Sequence, residues 1–392
     1  MKDYFEVSAS PAPSFGMPLK GPGPFAAQLD AFTGLHDLGR AGIYWACCGL
    51  RPDPGTWIWM PSLHCGVEVQ AALDAGLNVG FYRLADGLTI DEADLEAKLR
   101  ERPGIVFVIH YFGFAQPAIE RIVGDCQRRG CVVIEDCAHA LFSKHSGRDL
   151  GDFAPIAVFS LHKTLPIPDG GALKVNAELL REVTEKPFWP PPPGEFSLET
   201  LFGYPKSAAR ALLGPRVAGV YRRLRSRGAD EQYRPPTPVA NFQPKTTRPY
   251  ALAMSALSRR VAASAEPVRI VERRRRNYSA LDQALSGSPG YRKIFDRLPD
   301  HACPLFLPIW VADRETLMTA LRRRGVETFR FGAVPHPELD AELRQEATPL
   351  RDNILCLPVH DQITNGDLDE MVRIVRPLLA RHALPLAANV SA

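Results

Sequence analysis

Apolar residues in the first half of the chain form short runs, and helical patterns lie between those runs. The runs at 57–60, 105–109 and 131–135 predict buried strands, while the stretch 39–49 predicts a helix. Strands that alternate with helices are typical of βαβ units, which build a mainly parallel sheet. The same patterns predict further strands at 79–83, 157–159 and 172–175 and further helices at 67–75, 90–100 and 117–129.

A proline-rich and basic stretch separates this region from the rest of the chain. Prolines at 190–193 and at 235, 236 and 238 flank a predicted helix at 208–227, which carries six arginines. This helix has two open interpretations. It is either a solvated or dimer-facing helix, or a surface for an anionic substrate tail such as a diphosphate. Beyond it, the patterns predict a long helix at 252–285, strands at 305–311 and 354–357, and helices at 314–324 and 368–379.

We therefore expect an α/β protein whose large domain has a mainly parallel sheet, followed by a smaller C-terminal α+β domain. The predicted division is an N-terminal segment (1–34), the large domain (35–180), a proline-rich and basic helical insert (181–240), and a C-terminal domain with a long connecting helix (241–392).

Composition and charge narrow the class of protein. The chain has 392 residues, a net charge of +3 and eight cysteines. So small a charge argues against nucleic-acid binding, and the apolar runs are too short for a membrane span. No CxxC pair or zinc spacing occurs, and the N-terminus has no apolar signal segment, so reduced thiols and no metal are expected. These features predict a cytoplasmic protein.

Two residues at predicted strand ends carry the chemistry of greatest interest. Asp136 ends a buried strand, and Lys163 follows the next one. A carboxylate held against a ring nitrogen and a lysine able to form an imine are what pyridoxal 5′-phosphate (PLP) chemistry requires. Taken alone, Asp136 could equally cap a helix, and most lysines lie on the surface. Ligands of open α/β sheets, however, bind at the carboxyl ends of strands.

A phosphate site is predicted beside this pair. Ser160 precedes Lys163 in a Ser-x-x-Lys spacing, which also occurs in serine acyl-enzymes. The partner motifs of those enzymes are missing, so a hydroxyl that binds phosphate is the better interpretation. Gly39, Arg40 and Ala41 open a predicted helix, whose N–H groups would bind the same phosphate.

Together these motifs resemble the DegT/DnrJ/StrS sugar aminotransferases, a branch of the fold-type-I PLP enzymes. The resemblance runs from about Gly39 to Leu379, and its strongest parts are residues 134–140, 159–163 and 169–172. Weaker similarities occur at 39–41, 61–65, 110–113 and 357–360. It implies a fold-type-I PLP transferase and a homodimer with active sites at the subunit interface.

The resemblance also implies roles for individual residues. Lys163 would hold PLP as an imine and act as general acid and base, Asp136 would bind the pyridine nitrogen, and His139 would lie beside the ring hydroxyl. Cys65, with His64 next to it, stands where the family has an aromatic residue stacked on the ring. The implied cofactor-binding residues are Gly39, Arg40, Ala41, His64, Cys65, Asp136, His139, Ser160, Lys163 and Arg248.

The activity that follows from the resemblance is PLP-dependent amino transfer. An amino acid such as glutamate would donate to a keto-sugar, including nucleotide-linked ones, or to another carbonyl acceptor in a sugar, polysaccharide or secondary-metabolite pathway. Arg40 and Cys65 depart from the family pattern, and the asparagine expected near Arg248 is missing unless Asn241 replaces it. A PLP-dependent lyase, decarboxylase or carbon–carbon bond-forming enzyme, and a catalytically silent regulator, are the alternatives.

Overall fold

The computed structural model describes residues 5–11, 21–50, 52–181, 250–332 and 334–382. The predicted insert, apart from its first residue, its basic helix, Asn241 and Arg248 lie outside the described residues. No helix in the described part is long and apolar enough to cross a lipid bilayer.

In chain order, the strands are β1 (Gly34–His36), β2 (Trp57–Pro61), β3 (Asn78–Tyr82), β4 (Leu84–Ala85), β5 (Thr89–Ile90), β6 (Gly104–Ile109), β7 (Val133–Asp136), β8 (Lys144–His145), β9 (Arg148–Asp149), β10 (Ile156–Ser160), β11 (Gly171–Val175), β12 (Arg292–Lys293), β13 (Phe306–Trp310) and β14 (Ile354–Pro358). The helices are α1 (Ala26–Asp30), α2 (Gly39–Gly49), α3 (Val67–Asp74), α4 (Glu92–Glu101), α5 (Ile119–Arg128), α6 (Leu161–Thr164), α7 (Ala177–Arg181), α8 (Ala256–Ala263), α9 (Pro267–Leu285), α10 (Arg314–Arg323), α11 (Ala341–Asn353) and α12 (Asn365–Arg381).

A seven-stranded sheet in the order β1-β11-β10-β7-β6-β2-β3 forms the centre of the large domain. The five strands from β10 to β3 run parallel, and β11 pairs antiparallel with both β10 and β1. Apolar clusters cover both faces of this sheet, with Ile134 on one side and Val133 on the other. The predicted α/β domain with a mainly parallel sheet is confirmed.

The C-terminal part is a second, smaller α+β unit. Its sheet has the order β12-β13-β14 with antiparallel pairing, and α9, α10 and α12 pack around it. Residues near the N-terminus join this unit, because Val7 pairs with Val326 and the Ser8 carbonyl contacts His360 Nε2 at 3.0 Å. The apolar cluster of one sheet face continues into this unit, so the two parts share a core.

The single long helix expected at 252–285 is wrong. Two helices occupy this stretch instead. Helix α8 ends at Ala263, and α9 begins at Pro267. Proline has no N–H and fits the first turn of a helix, so Pro267 starts a new helix rather than continuing the old one. The helix α11 was not predicted.

Candidate active site

The carboxyl ends of two central strands bring the predicted acid and lysine together. Asp136 is the last residue of β7 and pairs in register with Val158 of β10. Strand β10 ends at Ser160, the four-residue helix α6 begins at the next residue, and Lys163 lies in α6. The charge of Lys163 acts on Cys65, Glu68, Asp136, His139 and His162. These side chains form one group at the carboxyl edge of the sheet.

Asp136 is a buried carboxyl whose ionised form needs a partner. Its Oδ1 accepts the Ala138 N–H at 2.8 Å, and it caps no helix, so the capping alternative does not hold. Burial raises the pKa of Asp136, whereas the charge of Lys163, the Ala138 N–H and the charge of His110 lower it. A protonated ring nitrogen would supply the missing partner.

Glu135, the residue before Asp136, fixes the end of β7 through hydrogen bonds. Glu135 is fully buried and accepts the backbone N–H groups of Gly151, Phe153 and Ala154 at 2.6–2.9 Å. His110 Nε2 lies 3.0 Å from the Glu135 carboxylate. With its oxygens bound by these groups, Glu135 fixes the end of β7, and so it fixes the position of Asp136.

A fully buried arginine holds the turn that carries Lys163. Arg274 of α9 donates from Nη2 to the carbonyl oxygen of Thr164, the residue after Lys163, at 3.0 Å. Its Nη1 donates to the carbonyl oxygens of Pro304 and Leu305, at 3.3 Å each. The guanidinium therefore joins the lysine turn to the segment that leads into β13.

Helix α2 begins against Ser160 and offers a place for an anion. Leu38 is its N-cap, and among the described residues no side chain caps the first turn. A Cβ on Gly39 would lie 3.2 Å from the Phe159 carbonyl oxygen and 3.3 Å from Ser160 Cβ. A larger residue at position 39 would push Ser160 and the start of the helix apart by a few tenths of an ångström. A helix N-terminus beside a hydroxyl group suits a phosphate.

The backbone of Arg40 and Ala41 belongs to this first turn, but the Arg40 side chain has other neighbours. The Ala41 N–H donates to the Leu38 carbonyl oxygen at 3.0 Å. The charge of Arg40 acts to lower the pKa of Tyr250, whose ring stacks on Tyr44 at 4.2 Å. The structure thus places the Arg40 side chain near this aromatic pair.

Phe112 orients the His139 ring through a hydrogen bond and ring stacking. The Phe112 N–H donates to His139 Nδ1 at 3.4 Å, and the two rings stack with centroids 5.5 Å apart. Phe112 has a φ of 56°, a left-handed conformation that costs free energy outside glycine. Burial and the charge of Lys163 hold the pKa of His139 well below its usual value. The imidazole is therefore neutral, and its Nε2 carries the proton as a donor.

Both ring nitrogens of His64 contact backbone groups of the protein. It is fully buried, its Nδ1 lies 3.0 Å from the Pro61 carbonyl oxygen, and its Nε2 accepts the His336 N–H at 3.2 Å. Its ring stacks on Phe81 at 5.1 Å. Burial lowers the pKa of His64 to about 3. The structure therefore does not bring the His64 nitrogens into the group around Lys163.

Cys65, by contrast, belongs to the group around Lys163. The residue as a whole is exposed, and the charges of Lys163 and Asp136 both act on its thiol. Desolvation of the sulfur and the charge of Glu68 raise the pKa of Cys65 to about 12. The group therefore has a neutral thiol, rather than an aromatic ring, at the position where the resemblance implies a stacking residue.

Sequence reasoning missed a carboxyl beside this thiol. Glu68, in the first turn of α3, is 3% exposed, and its Oε1 accepts the Cys65 N–H at 2.6 Å. Desolvation raises the pKa of Glu68 to about 7. The only sequence signal is an acid just after Gly66, which looks like ordinary helix capping. His162 was missed too, and burial lowers its pKa to about 4.

The residues present fit PLP. A buried carboxyl in need of a cationic partner, an amine, a neutral imidazole donor and a glycine-lined helix start with a hydroxyl all meet at one sheet edge. These match the ring nitrogen, the aldehyde, the ring hydroxyl and the phosphate of PLP. The class of protein that this fold and site define is an α/β protein whose candidate site fits PLP.

Comparison with known proteins agrees with this class. The model of the DegT/DnrJ/EryC1/StrS aminotransferase family matches residues 46–186. UDP-4-amino-4,6-dideoxy-N-acetyl-beta-L-altrosamine transaminase of Campylobacter jejuni is 32% identical over 119 residues, which are 29% of this chain and 32% of that protein. The chain spans about a third to two fifths of the length of the curated relatives it matches.

Solved structures resemble the chain over nearly all of its length. PseC of Helicobacter pylori, an aminotransferase involved in pseudaminic acid biosynthesis, has a TM-score of 0.66 at 14% identity, covering 96% of this chain and 100% of that one. Spr1654 of Streptococcus pneumoniae, in its PLP form, has a TM-score of 0.66 at 13% identity, covering 97% and 100%. The fold is that of these enzymes.

The resemblance found in the sequence is thereby confirmed. The family model matches residues 46–186, which lie mostly in the large domain.

Proposed function

We propose that this protein is a PLP-dependent aminotransferase, which moves an amino group from a glutamate-like amino acid to the carbonyl carbon of a keto-sugar. The observation that carries the proposal is the meeting of Asp136, Lys163, Ser160 and Gly39 at the carboxyl edge of the sheet. The name of one relative, a UDP-linked amino-sugar transaminase, supports the choice of acceptor.

Each residue would have a definite task. PLP, when bound, supplies an electron sink for the carbon that loses a proton. Asp136 would keep the ring nitrogen protonated, and Ser160 with the first turn of α2 would bind the phosphate. Lys163 would attach the cofactor through its amine, and its Nζ would move the proton between the donor's Cα and the C4′ carbon of the cofactor. His139 would donate from Nε2 to the ring hydroxyl.

The fixed geometry of the lysine turn matters for this task. A general base needs hydrogen-bond reach to the proton that it removes, and small displacements are costly in rate. The Arg274 bonds hold the turn that carries Lys163, and the Glu135 network holds the end of the strand that carries Asp136.

The test is a half-reaction with purified, PLP-loaded protein. Glutamate should yield one equivalent of 2-oxoglutarate per active site without an acceptor, and then stop. Adding a keto-sugar acceptor should restart 2-oxoglutarate release. Carbon dioxide or an eliminated fragment from a single substrate would instead indicate a decarboxylase or lyase. Absence of PLP binding would favour a silent regulator.

We further propose that the protein is a cytoplasmic homodimer with shared active sites. All eight cysteines are free thiols, which suits a reducing compartment. The shared site rests on the family resemblance, in which Arg248 belongs to the neighbouring subunit's site. Mixing a Lys163→Ala chain with an Arg248→Ala chain should restore activity through heterodimers if the sites are shared.

A further inference from the structure

Phe331 is an aromatic residue of the C-terminal part that reaches the turn carrying His139, and the proposed function gives it no task. It is 4% exposed, and its ring centroid lies 5.0 Å from that of His139 at an interplanar angle of 77°. His139 follows the end of β7 by three residues and is also buried. A side chain of the C-terminal part therefore packs against an imidazole of the large domain.

Two phenyl rings meet this imidazole in different ways. Phe112 lies nearly parallel to His139, with centroids 5.5 Å apart and 13° between the planes, whereas Phe331 stands almost at a right angle to it. The two phenyl rings also contact each other, at 5.9 Å and 84°. Stacked and edge-to-face contacts of this kind stabilise aromatic pairs beyond the burial of their area. A turn of the imidazole plane would break both contacts at once.

The hydrogen bond to His139 does not fix the ring by itself. The Phe112 N–H reaches His139 Nδ1 at 3.4 Å, which is long for a hydrogen bond. Ring contacts alone leave two orientations open, because a half turn about the Cβ–Cγ bond keeps the plane and exchanges the two edges. The N–H favours the orientation in which Nδ1 accepts and Nε2 carries the proton. The phenyl rings thus set the plane, and the N–H selects the edge.

The backbone on either side of Phe331 is fixed. Phe329, two residues earlier, exchanges backbone hydrogen bonds of 3.0 and 2.9 Å with Cys356 of β14. Gly332, the next residue, has a φ of 65°, and a Cβ there would lie 3.0 Å from the His64 carbonyl oxygen. The Phe331 ring is therefore held in place by the sheet of the C-terminal part and by the segment that follows β2.

The C-terminal part also supports the peptide that donates to His139. The Leu305 N–H, just before β13, donates to the Phe112 carbonyl oxygen at 2.8 Å. A Cβ on Gly113 would collide with the Cys303 carbonyl oxygen, so the turn fits closely against this segment. These contacts stabilise the left-handed conformation of Phe112, whose φ is 56°. The donor peptide and the second ring thus both depend on the C-terminal part.

From this arrangement we propose that Phe331 is a positioning residue, which fixes the plane of the His139 imidazole so that Nε2 can donate to the ring hydroxyl of PLP. Phe331 acts through His139 and need not touch the substrate. The proposal deepens the proposed aminotransferase function and rests on it for the role of His139. The orientation of the imidazole, however, can be measured without PLP.

The test is nitrogen NMR of the histidine rings in full-length protein without added PLP. Histidine labelled with heavy nitrogen is incorporated, and the His139 signals are assigned by their loss in His139→Gln. The wild type should show a neutral ring with the proton on Nε2. In Phe331→Leu, which keeps an apolar side chain but no ring, the two signals should move towards the average of both tautomers. The affinity of this variant for PLP should fall about twofold to tenfold.

Phe329→Leu is the matched control, because it removes a ring from the same segment. Phe329 stacks on Phe306 at 5.0 Å, and none of the ring contacts among the described residues joins it to His139. This variant should lose stability but keep the wild-type His139 signals and PLP affinity. Phe331→Met, which is also apolar and without a ring, should reproduce the effect of Phe331→Leu and replaces it if that variant does not fold.

The outcomes for Phe331 and for the proposed function remain distinguishable. Unchanged His139 signals in folded Phe331→Leu, or equal changes in Phe329→Leu, would show that Phe331 only packs the core, and the proposal would be wrong. If the signals change as expected but the wild type binds no PLP, the positioning of His139 stands and the aminotransferase proposal falls. If the wild type binds PLP and Phe331→Leu binds it equally well, PLP binding stands and the role of Phe331 is overturned.

Discussion

Arg274 offers the sharpest structural prediction, because one buried guanidinium joins α9 to the turn that carries Lys163. It is 0% exposed and binds the carbonyl oxygens of Thr164, Pro304 and Leu305 at 3.0–3.3 Å. We consider replacement by methionine, which keeps the length and packing of the side chain but removes every donor.

The expected loss of stability is about 2–3 kcal/mol. Each of the three carbonyl oxygens loses a charge-assisted bond, and an unpaired buried acceptor costs about 1–3 kcal/mol. Removal of a buried charge returns part of this cost, because no carboxylate pairs with Arg274 in the described contacts. The free Thr164 carbonyl should also loosen the lysine turn and weaken PLP binding about tenfold.

Urea unfolding followed by circular dichroism measures the first effect, and titration of the folded protein with PLP measures the second. Arg275→Met is the matched control, since Arg275 binds the carbonyl oxygens of Pro299 and Ala302 but not that of Thr164. If Arg274→Met binds PLP as tightly as Arg275→Met, Arg274 only stabilises the fold and the positioning argument is refuted. Arg274→Lys should be intermediate, because lysine cannot reach all three oxygens in the same planar geometry.

Three further predictions concern the cofactor site and its surroundings. Gly39→Ala should weaken PLP binding at least about tenfold, because the added Cβ would meet Ser160, where we propose that the phosphate binds. Gly42→Ala, in the same helix with a similar 3.3 Å contact to the Ala172 carbonyl oxygen, should not, and equal effects would contradict the proposed phosphate site. Cys65→Phe should strengthen PLP binding about fivefold through ring stacking, and unchanged affinity would show that position 65 does not face the ring. His64→Gln should reduce the loss of stability on acidification. The folded protein keeps His64 neutral down to a pKa of about 3, whereas the unfolded chain protonates it near pH 6.5. Between these pH values the free energy of unfolding of the wild type should therefore fall with a slope one proton steeper than that of the variant. Urea midpoints at several pH values check this, and parallel curves for the two proteins would contradict it.

The parts of the site that could be predicted lie at strand ends. Asp136, Ser160 and Lys163 each follow an apolar run, and the rule that ligands bind at the carboxyl ends of parallel strands places them together. Gly39 was predicted because it opens a helix, whose free N–H groups suit a phosphate. Local pattern is sufficient where the chemistry sits at the ends of regular elements.

Residues that depend on distant packing could not be predicted in this way. Arg274 belongs to a run of four arginines, which suggests a solvated helix face, and only the contact with Thr164 more than a hundred residues away reveals its burial. In the sequence, Glu68 looks like a capping acid. Its raised pKa arises from burial in the folded protein, which the sequence pattern does not predict. His64 was expected next to the cofactor by position, but contacts with His336 in the C-terminal part engage it instead.

The central claim is that the amine at position 163 takes up the cofactor aldehyde. Purified protein is saturated with PLP, reduced with borohydride, digested and mapped by mass spectrometry. The account predicts a single stoichiometric adduct on the peptide that contains Lys163, and none in Lys163→Ala. Adduct spread over other lysines, or none at all, would contradict it.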